Sequence, residues 1–309
     1  MNKLLLTYIL TIGICGVAGG GTGIVLKRTI GPVDETYPPG FDPREFSPNV
    51  EAIMEKYEKL SDKTINGVKS YSDTDIINIV LEKYRRQDYC WSISEGNANT
   101  IVTQTIRNSQ IKYGDEYFEE QLSYSSVVDL AKRSYQHGKD GNIKLHTGTA
   151  DGPEAAHYPN PDVTKPKEYD KAGYKKEFGK TLDEMFIYII SDKTLLDSSR
   201  SAKGADTLIK LNLNPNLSTF YYKTQMKAIS GLSNLPPFSE VKLEFTFNSN
   251  LDLKQMYVDE TFTATKEGIP VPATTHNLIN NYYHAGEKMD IPTYSENIDY
   301  ANLLALEEE

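Results

Sequence analysis

Cysteine is nearly absent: of 309 residues only Cys15 and Cys90 carry a thiol. Cys15 lies inside an apolar N-terminal run, which leaves Cys90 alone in the body and excludes an internal disulfide there. So little cysteine in an exported-looking chain is a bacterial habit more than a eukaryotic one. Trp91 is the single tryptophan, and there are five histidines: His137, His146, His157, His276 and His284. None falls into H-E-x-x-H or another close metal-binding pair. His146 and His157 flank the acidic stretch TGTADGPEAA, whose composition reads as solvated loop. No G-x-S-x-G elbow is present, which removes support for that kind of serine hydrolase. Cys90, beside Trp91 in a strand-like run, reads as a buried inert thiol. The run GGGTG has neither the GK[ST] of a phosphate loop nor the G-x-G-x-x-G of a dinucleotide loop.

The nearest approach to a metal motif is NSNLDLKQMYVD, with Asn248, Asn250 and Asp252 at positions 1, 3 and 5 of a calcium loop and Asp259 at position 12. Leu253 stands where that turn needs glycine, and position 12 lacks the bidentate glutamate. A plain hairpin turn is the simpler reading. With no constellation left, the expectation is a chain with no catalytic residues, no metal and no cofactor, and not an enzyme.

Charge is plentiful but one-sided. The net charge is −10, and the first 28 residues hold three bases and no acid, so the body carries −13. A body this acidic is repelled by phosphate backbones, which excludes nucleic acid as a partner. It also suits lying flat on anionic lipid poorly, although a tether can hold it nearby. Tyrosine is abundant, 21 against 10 phenylalanines. Its ring packs while its hydroxyl reaches water, which suits a strand-rich chain with half-wet faces.

Residues 4–26 contain no charge. Twenty-three residues of helix are enough to cross roughly 30 Å of hydrocarbon. Residues 1–28 therefore read as an uncleaved membrane anchor or as a signal cut near Ala18 to Gly20. Lys27 and Arg28 outnumber Lys3, which on charge alone favours the body inside. A short basic start, an apolar run and a large following body is nonetheless the pattern of export, and both leading readings place the body outside the cell membrane. Residues 29–47 hold four prolines and form a stiff, solvated spacer.

Residues 48–309 then read as one α+β domain. Ser47-Pro48 opens a helix with Val50, Ile53, Met54, Tyr57 and Leu60 at helical spacing. Asp73 caps a second, with Ile76, Ile77, Val80, Leu81 and Tyr84 on one face. From Tyr89 the period shortens to that of strands, with a turn at Gly114-Asp115. Residues 126–136 fit strand or helix equally. Residues 150–180, rich in proline, glycine and charge, read as a long surface loop. MFIYIIS and DTLIKLNLN resume the strands, and a helix follows from about Leu217 to Gly231, with Ser218 as a cap and Gly231 as its stop.

The stretch SEVKLEFTFNSNLDLKQMYVDETFTATKEG is the clearest hairpin. Val241, Leu243, Phe245 and Phe247 alternate with Lys242, Glu244 and Thr246, so one face is apolar and must cover something. A last strand in ATTHNLINNYYHAGEKMDIP ends at a proline. This order of helices, many antiparallel strands, helix, long hairpin and a final strand closed by DIP is similar to the half-barrel carriers of bacterial lipoproteins and lipids, the LolA-type and LppX-type proteins, over about residues 48–292. The resemblance implies a curved, mostly antiparallel sheet with helices packed on one face, and a cavity there for acyl chains. No lipobox accompanies it, since Ile14 precedes Cys15; a transmembrane helix takes that role. The implied function is a membrane-tethered extracytoplasmic protein that holds a lipid or other amphiphile. Trp91, Phe186, Tyr188, Leu243, Phe245 and Phe247 are the expected lining. The alternative is a filled domain that presents surface loops to a protein partner.

Overall fold

The computed structural model describes residues 37, 40–99, 103–125, 130–139, 141–151, 167–178, 188–230, 235–266 and 269–284. The expected anchor lies outside them, and among the described residues no helix is long and apolar enough to cross a membrane. The end of the proline-rich spacer is not simply solvated. Tyr37 donates to the carbonyl of Asn216 at 2.6 Å, and the Phe41 ring lies 5.4 Å from that of Phe46.

Helix α1 spans Val50–Glu58 and α2 spans Asp73–Arg85. Each begins a residue or two away from its expected cap. Asn49 caps α1, accepting from Ala52 N at 3.0 Å, while the Ser47 hydroxyl binds the carbonyl of Pro43 instead. Ser72 caps α2, accepting from Asp75 N. Asp73 is diverted: its carboxylate receives Ser198 and Arg200, both at 2.8 Å. Helix α2 is buried over most of its circumference, with Ile76, Ile77, Ile79, Val80 and Tyr84 wholly buried and the polar Thr74, Asn78 and Glu82 buried beside them. That is the mark of a core helix.

Eleven strands follow: β1 Tyr89–Asn99, β2 Thr103–Tyr113, β3 Glu116–Ser125, β4 Leu130–Lys139, β5 Asn142–Asp151, β6 Lys167–Asp170, β7 Leu195–Lys203, β8 Asp206–Leu213, β9 Phe238–Phe247, β10 Leu253–Lys266 and β11 Ile269–His284. They form one sheet in the order β6-β5-β4-β3-β2-β1-β11-β10-β9-β8-β7, with neighbours antiparallel. Two meanders thus meet where the first strand pairs with the last. The structure is a mostly antiparallel sheet with few helices, in keeping with the α+β expectation.

The described residues hold three further α-helices: α3 Lys171–Phe178, α4 Pro215–Ser218 and α5 Phe220–Ser230. Within the stretch read as a surface loop, 150–180, residues 167–178 form strand β6 and helix α3. Tyr174 of α3 is buried against Ile143 and Leu145 of β5, so a charged sequence still supplies one anchoring ring. Strand β4 resolves the ambiguous 126–136 stretch from Leu130 onward. Ile189 and Ile190 of MFIYIIS are buried without being strand; β7 begins later, in the polar LLDSSRSAK. That strand lies at a sheet edge, largely exposed, and meets the start of α2 through the polar Ser198 and Arg200, so apolar alternation is not needed. The Leu217–Gly231 helix divides at Thr219, with Asn214 capping the first piece ahead of Pro215. Gly231 falls outside the described residues.

The hairpin behaves as its alternation requires. Val241, Leu243, Phe245 and Phe247 are wholly buried, opposite Met256 and Val258 of β10, in one core with Ile53, Ile76 and Val80 of the helices. At its turn Leu251 adopts φ 65. A non-glycine residue there costs about 1–2 kcal/mol, which burying a leucine side chain, worth about 1.5–3 kcal/mol, offsets. Asn248 fixes the turn by accepting from the backbone of Asn250 and Asp252 at 2.9 and 3.0 Å.

Registers shift in both partners of β11, between Val258 and Glu260 and between Glu95 and Asn97. This bulge brings Ala273 and Thr275 to the same core side as Leu278, Asn280 and Tyr282. Gly96 lies opposite it. A Cβ at Gly96 would stand 2.6 Å from Leu278 Cα, a backbone atom that cannot simply rotate away. Gly96→Ala should therefore lower stability by about 1–3 kcal/mol in urea unfolding, and a neutral result would show that the seam is looser than this geometry requires.

Candidate functional site

Strand partners side by side share a face, so register decides which candidate residues belong together. Phe245 pairs with Met256, Met256 with Asn280, and Asn280 with Ser94. These point to the helix side. Trp91 is offset by an odd number of residues and pairs with Tyr283 and Ile111 on the other face. Its ring stacks on Tyr283 at 3.7 Å in a separate cluster with Ile111. Trp91 therefore does not share a surface with Leu243, Phe245 and Phe247. Those three are buried in the main core, Tyr188 packs against its margin, and Phe186 lies outside the described residues.

The structure adds a residue that the sequence reading passed over. In β10 the core-facing row runs Met256, Val258, Glu260, Phe262. Glu260 is thus a carboxyl at an apolar position, with no exposure. Tyr188 donates to its Oε2 at 2.6 Å and Tyr222 of α5 to its Oε1 at 2.9 Å. The two tyrosine rings lie 5.3 Å apart, and Phe238 and Phe262 stack nearby at 5.0 Å. Burial pushes the Glu260 carboxyl up to about 7, against the opposing pull of the Tyr188 and Tyr222 hydroxyls. Burial, and then the neighbouring Glu260, push the Tyr188 phenol well above its ordinary range. A carboxyl poised near neutrality between two phenols is a place where a proton can be held or exchanged.

From Glu260 the same face continues as a buried polar row. It runs from Thr275 and Asn280 on β11, through Ser92 and Ser94 on β1, to Asn108 and Gln110 on β2 and Glu119 on β3, each at most 9% exposed. The apolar core lies beside it on β8 to β10. That face is therefore mainly apolar over β8 to β10, apart from Glu260, and mixed over β11 to β3, where the polar row is interspersed with Cys90, Ile106, Leu278 and Tyr282.

A separate cleft of about 230 Å³ lies at the end of α2, lined by Lys83, Tyr84, Gln87, Asp252 and His284. Lys83 binds Asp252 at 3.1 Å and the carbonyl of Asn250, so an ammonium group occupies the oxygen-rich turn that resembled a calcium loop. Burial raises the Asp252 carboxyl, but hydrogen bonds from Asn248 and Lys83 outweigh it and hold the group low. His284 Nε2 donates to the carbonyl of Leu253 at 2.6 Å, while Nδ1 meets the Gln87 amide at 2.8 Å. These groups serve one another. Among the described residues no cluster of three metal-binding side chains occurs.

No protein-family profile matches the chain, and no curated protein matches it. Solved structures align only loosely. One is a crystal structure of a protein from Nitrosomonas europaea described as an AttH, at 10% identity and TM-score 0.20, covering 66% of this chain and 53% of that one. The chain thus spans about half the length of that protein. Another is a dehydratase studied for substrate selection in the borrelidin and fluvirucin polyketide synthases, at 14% identity and TM-score 0.16, with 70% and 78% covered. A third is the dehydratase domain from the terminal module of the rifamycin polyketide synthase, at 12% identity and TM-score 0.14, with 68% and 81% covered. Since dehydratases stand among these matches, the expectation that the chain is not an enzyme is withdrawn. At such TM-scores the alignments carry no fold, substrate or residue role across to this chain.

Glu260 carries a measurable consequence. A carboxyl whose folded pKa exceeds its ordinary 4.5 takes up a proton on folding between pH 4.5 and about 7. Stability therefore falls as pH rises through that window, by up to about 3 kcal/mol. Glu260→Gln should match the parent protein near pH 5 and exceed it by about 1–3 kcal/mol at pH 8.5, read from urea unfolding at both pH values. An equal difference at the two pH values would remove the buried carboxyl as its cause.

Proposed function

We propose that this chain is a membrane-tethered extracytoplasmic binding protein that holds an amphiphile, such as a lipid, against the helix-covered face of a half-barrel sheet. The observation that carries this reading is the divided face: mainly apolar side chains over β8 to β10, a row of buried hydrogen-bonding side chains over β11 to β3. An amphiphile is divided in the same way, and a site that serves it needs an apolar wall with a few placed polar groups.

Two features support the curvature. Open twisted sheets of more than about ten strands tend to curl. Helix α3, attached to edge strand β6, also packs against α5, which reaches β10 from the opposite half through Tyr222. An apolar run at residues 4–26 supplies the tether, and the acidic body stands off from anionic lipid. Amphiphile exchange would then happen at the membrane surface without the body lying on it. A domain with a filled core that presents its surface to a protein partner is the rival, favoured by the complete burial of Leu243, Phe245 and Phe247.

Native mass spectrometry of the full chain, purified from membranes and followed by organic extraction, separates the two. The expected result is a reproducible mass adduct belonging to one lipid class. A clean protein mass that survives incubation with membrane lipids unchanged would discard the amphiphile reading and leave the protein-partner reading in its place.

A further inference from the structure

Two buried oxygens of the polar row have no hydrogen-bond partner among the described residues, Thr275 Oγ1 opposite Glu260 and Asn108 Oδ1 in the middle of the row, and the second points to a ligand. Most of the row's donors are spent internally. Ser94 gives its hydroxyl to Asn280 Oδ1, Asn280 gives its amide to the carbonyl of Met256 at 3.3 Å, and Gln110 gives its amide to Glu119 Oε2 at 3.1 Å. Asn108 lies between them, paired with Ser94 across β1 and two residues from Gln110 on the same face. It is 2% exposed, and among the described residues its Oδ1 meets no hydrogen-bond donor. Buried amide oxygens in this position are costly, and folded proteins keep few of them. Leucine has the same branching and number of side-chain heavy atoms, with somewhat greater bulk, and carries no acceptor to leave unpaired.

We infer that Asn108 is the head-group determinant of the amphiphile site, an acceptor kept for ligands whose polar head donates a hydrogen bond. The inference rests on the amphiphile reading above and narrows it to a class, amines and alcohols in preference to carboxylates. A neighbouring carboxyl, Glu119, reinforces the preference by disfavouring an anionic head on the same face. Of the donors close to Asn108, Ser94, Asn280 and Gln110 give hydrogen bonds to Asn280 Oδ1, the Met256 carbonyl and Glu119, while the unpartnered Thr275 hydroxyl lies opposite Glu260 and four residues farther along β1. The position behaves as hydrogen-bonding sites generally do: it rejects the analogue that leaves its buried group unpaired.

The test uses three single-chain probes of equal length, octylamine, octanol and octanoate, titrated calorimetrically into the full chain in detergent. Octylamine and octanol should each bind at least tenfold more tightly than octanoate. Asn108→Leu should bring all three to within threefold of one another. In ligand-free protein the same substitution should raise the melting temperature by about 2 °C or more, because it removes an unsatisfied buried oxygen; an asparagine that merely supports the strand would lower it. Should leucine prevent folding, Asn108→Ala provides the same binding readout. Octanoate binding as tightly as the other two, or a preference that survives the substitution, would overturn the role of Asn108 while leaving the amphiphile reading intact. Failure of all three probes to bind would overturn both.

Discussion

The ladder between β1 and β11, from Cys90 opposite His284 to Asn99 opposite Thr274, makes two meanders into one sheet. Most neighbours within each meander are joined by short hairpins, β8 and β9 being linked instead through α4 and α5. The seam is the long-range element, and the core faces of both halves line up only if its register is right. A slip of one residue would turn every side chain of β1 to the opposite face. Gly96 and the β11 bulge fix that register from both sides, one by its missing side chain and the other by its extra residue. The helices follow from this alignment, since α2 can bury most of its circumference only where β8 to β10 and β1 present a common wall.

Glu260 shows what the core tolerates in return. An ionised carboxylate in an apolar row would be prohibitively costly if left alone. Two phenol hydroxyls, one from the 188–190 segment and one from α5, reduce that cost without adding charge. They also tie two elements outside the sheet to the same atom pair. The carboxyl therefore acts as a clasp as well as a proton site, and the pH range in which it charges is the range in which the clasp and its burial oppose each other.

How much of this was legible in the sequence depends on distance along the chain. The alternation of Val241, Leu243, Phe245 and Phe247 was plain, and so were the apolar stripes of α1 and α2, because those signals are local. Trp91 was grouped with the phenylalanines because an aromatic in a strand says nothing about which face it takes; that is decided by pairings through β11 and β10, nearly two hundred residues away. Strand β7 was missed because a largely exposed edge strand that meets its helix through Ser198 and Arg200 has no apolar period. Glu260 did leave a trace: a charged residue in step with Met256, Val258 and Phe262 breaks an otherwise apolar row. Tyr174 left none, since a single buried ring in a lysine-rich helix looks like any surface tyrosine.

The strand order also fixes a timetable. Among the described strands β1 is the first to be synthesised and its partner β11 the last, so one side of β1 waits for that partner with its backbone groups unpaired. Long-range pairings of this kind close slowly, and an open strand edge invites wrong partners while it waits. Seen this way, the late seam sets when folding can finish, and every hairpin before it forms on provisional terms.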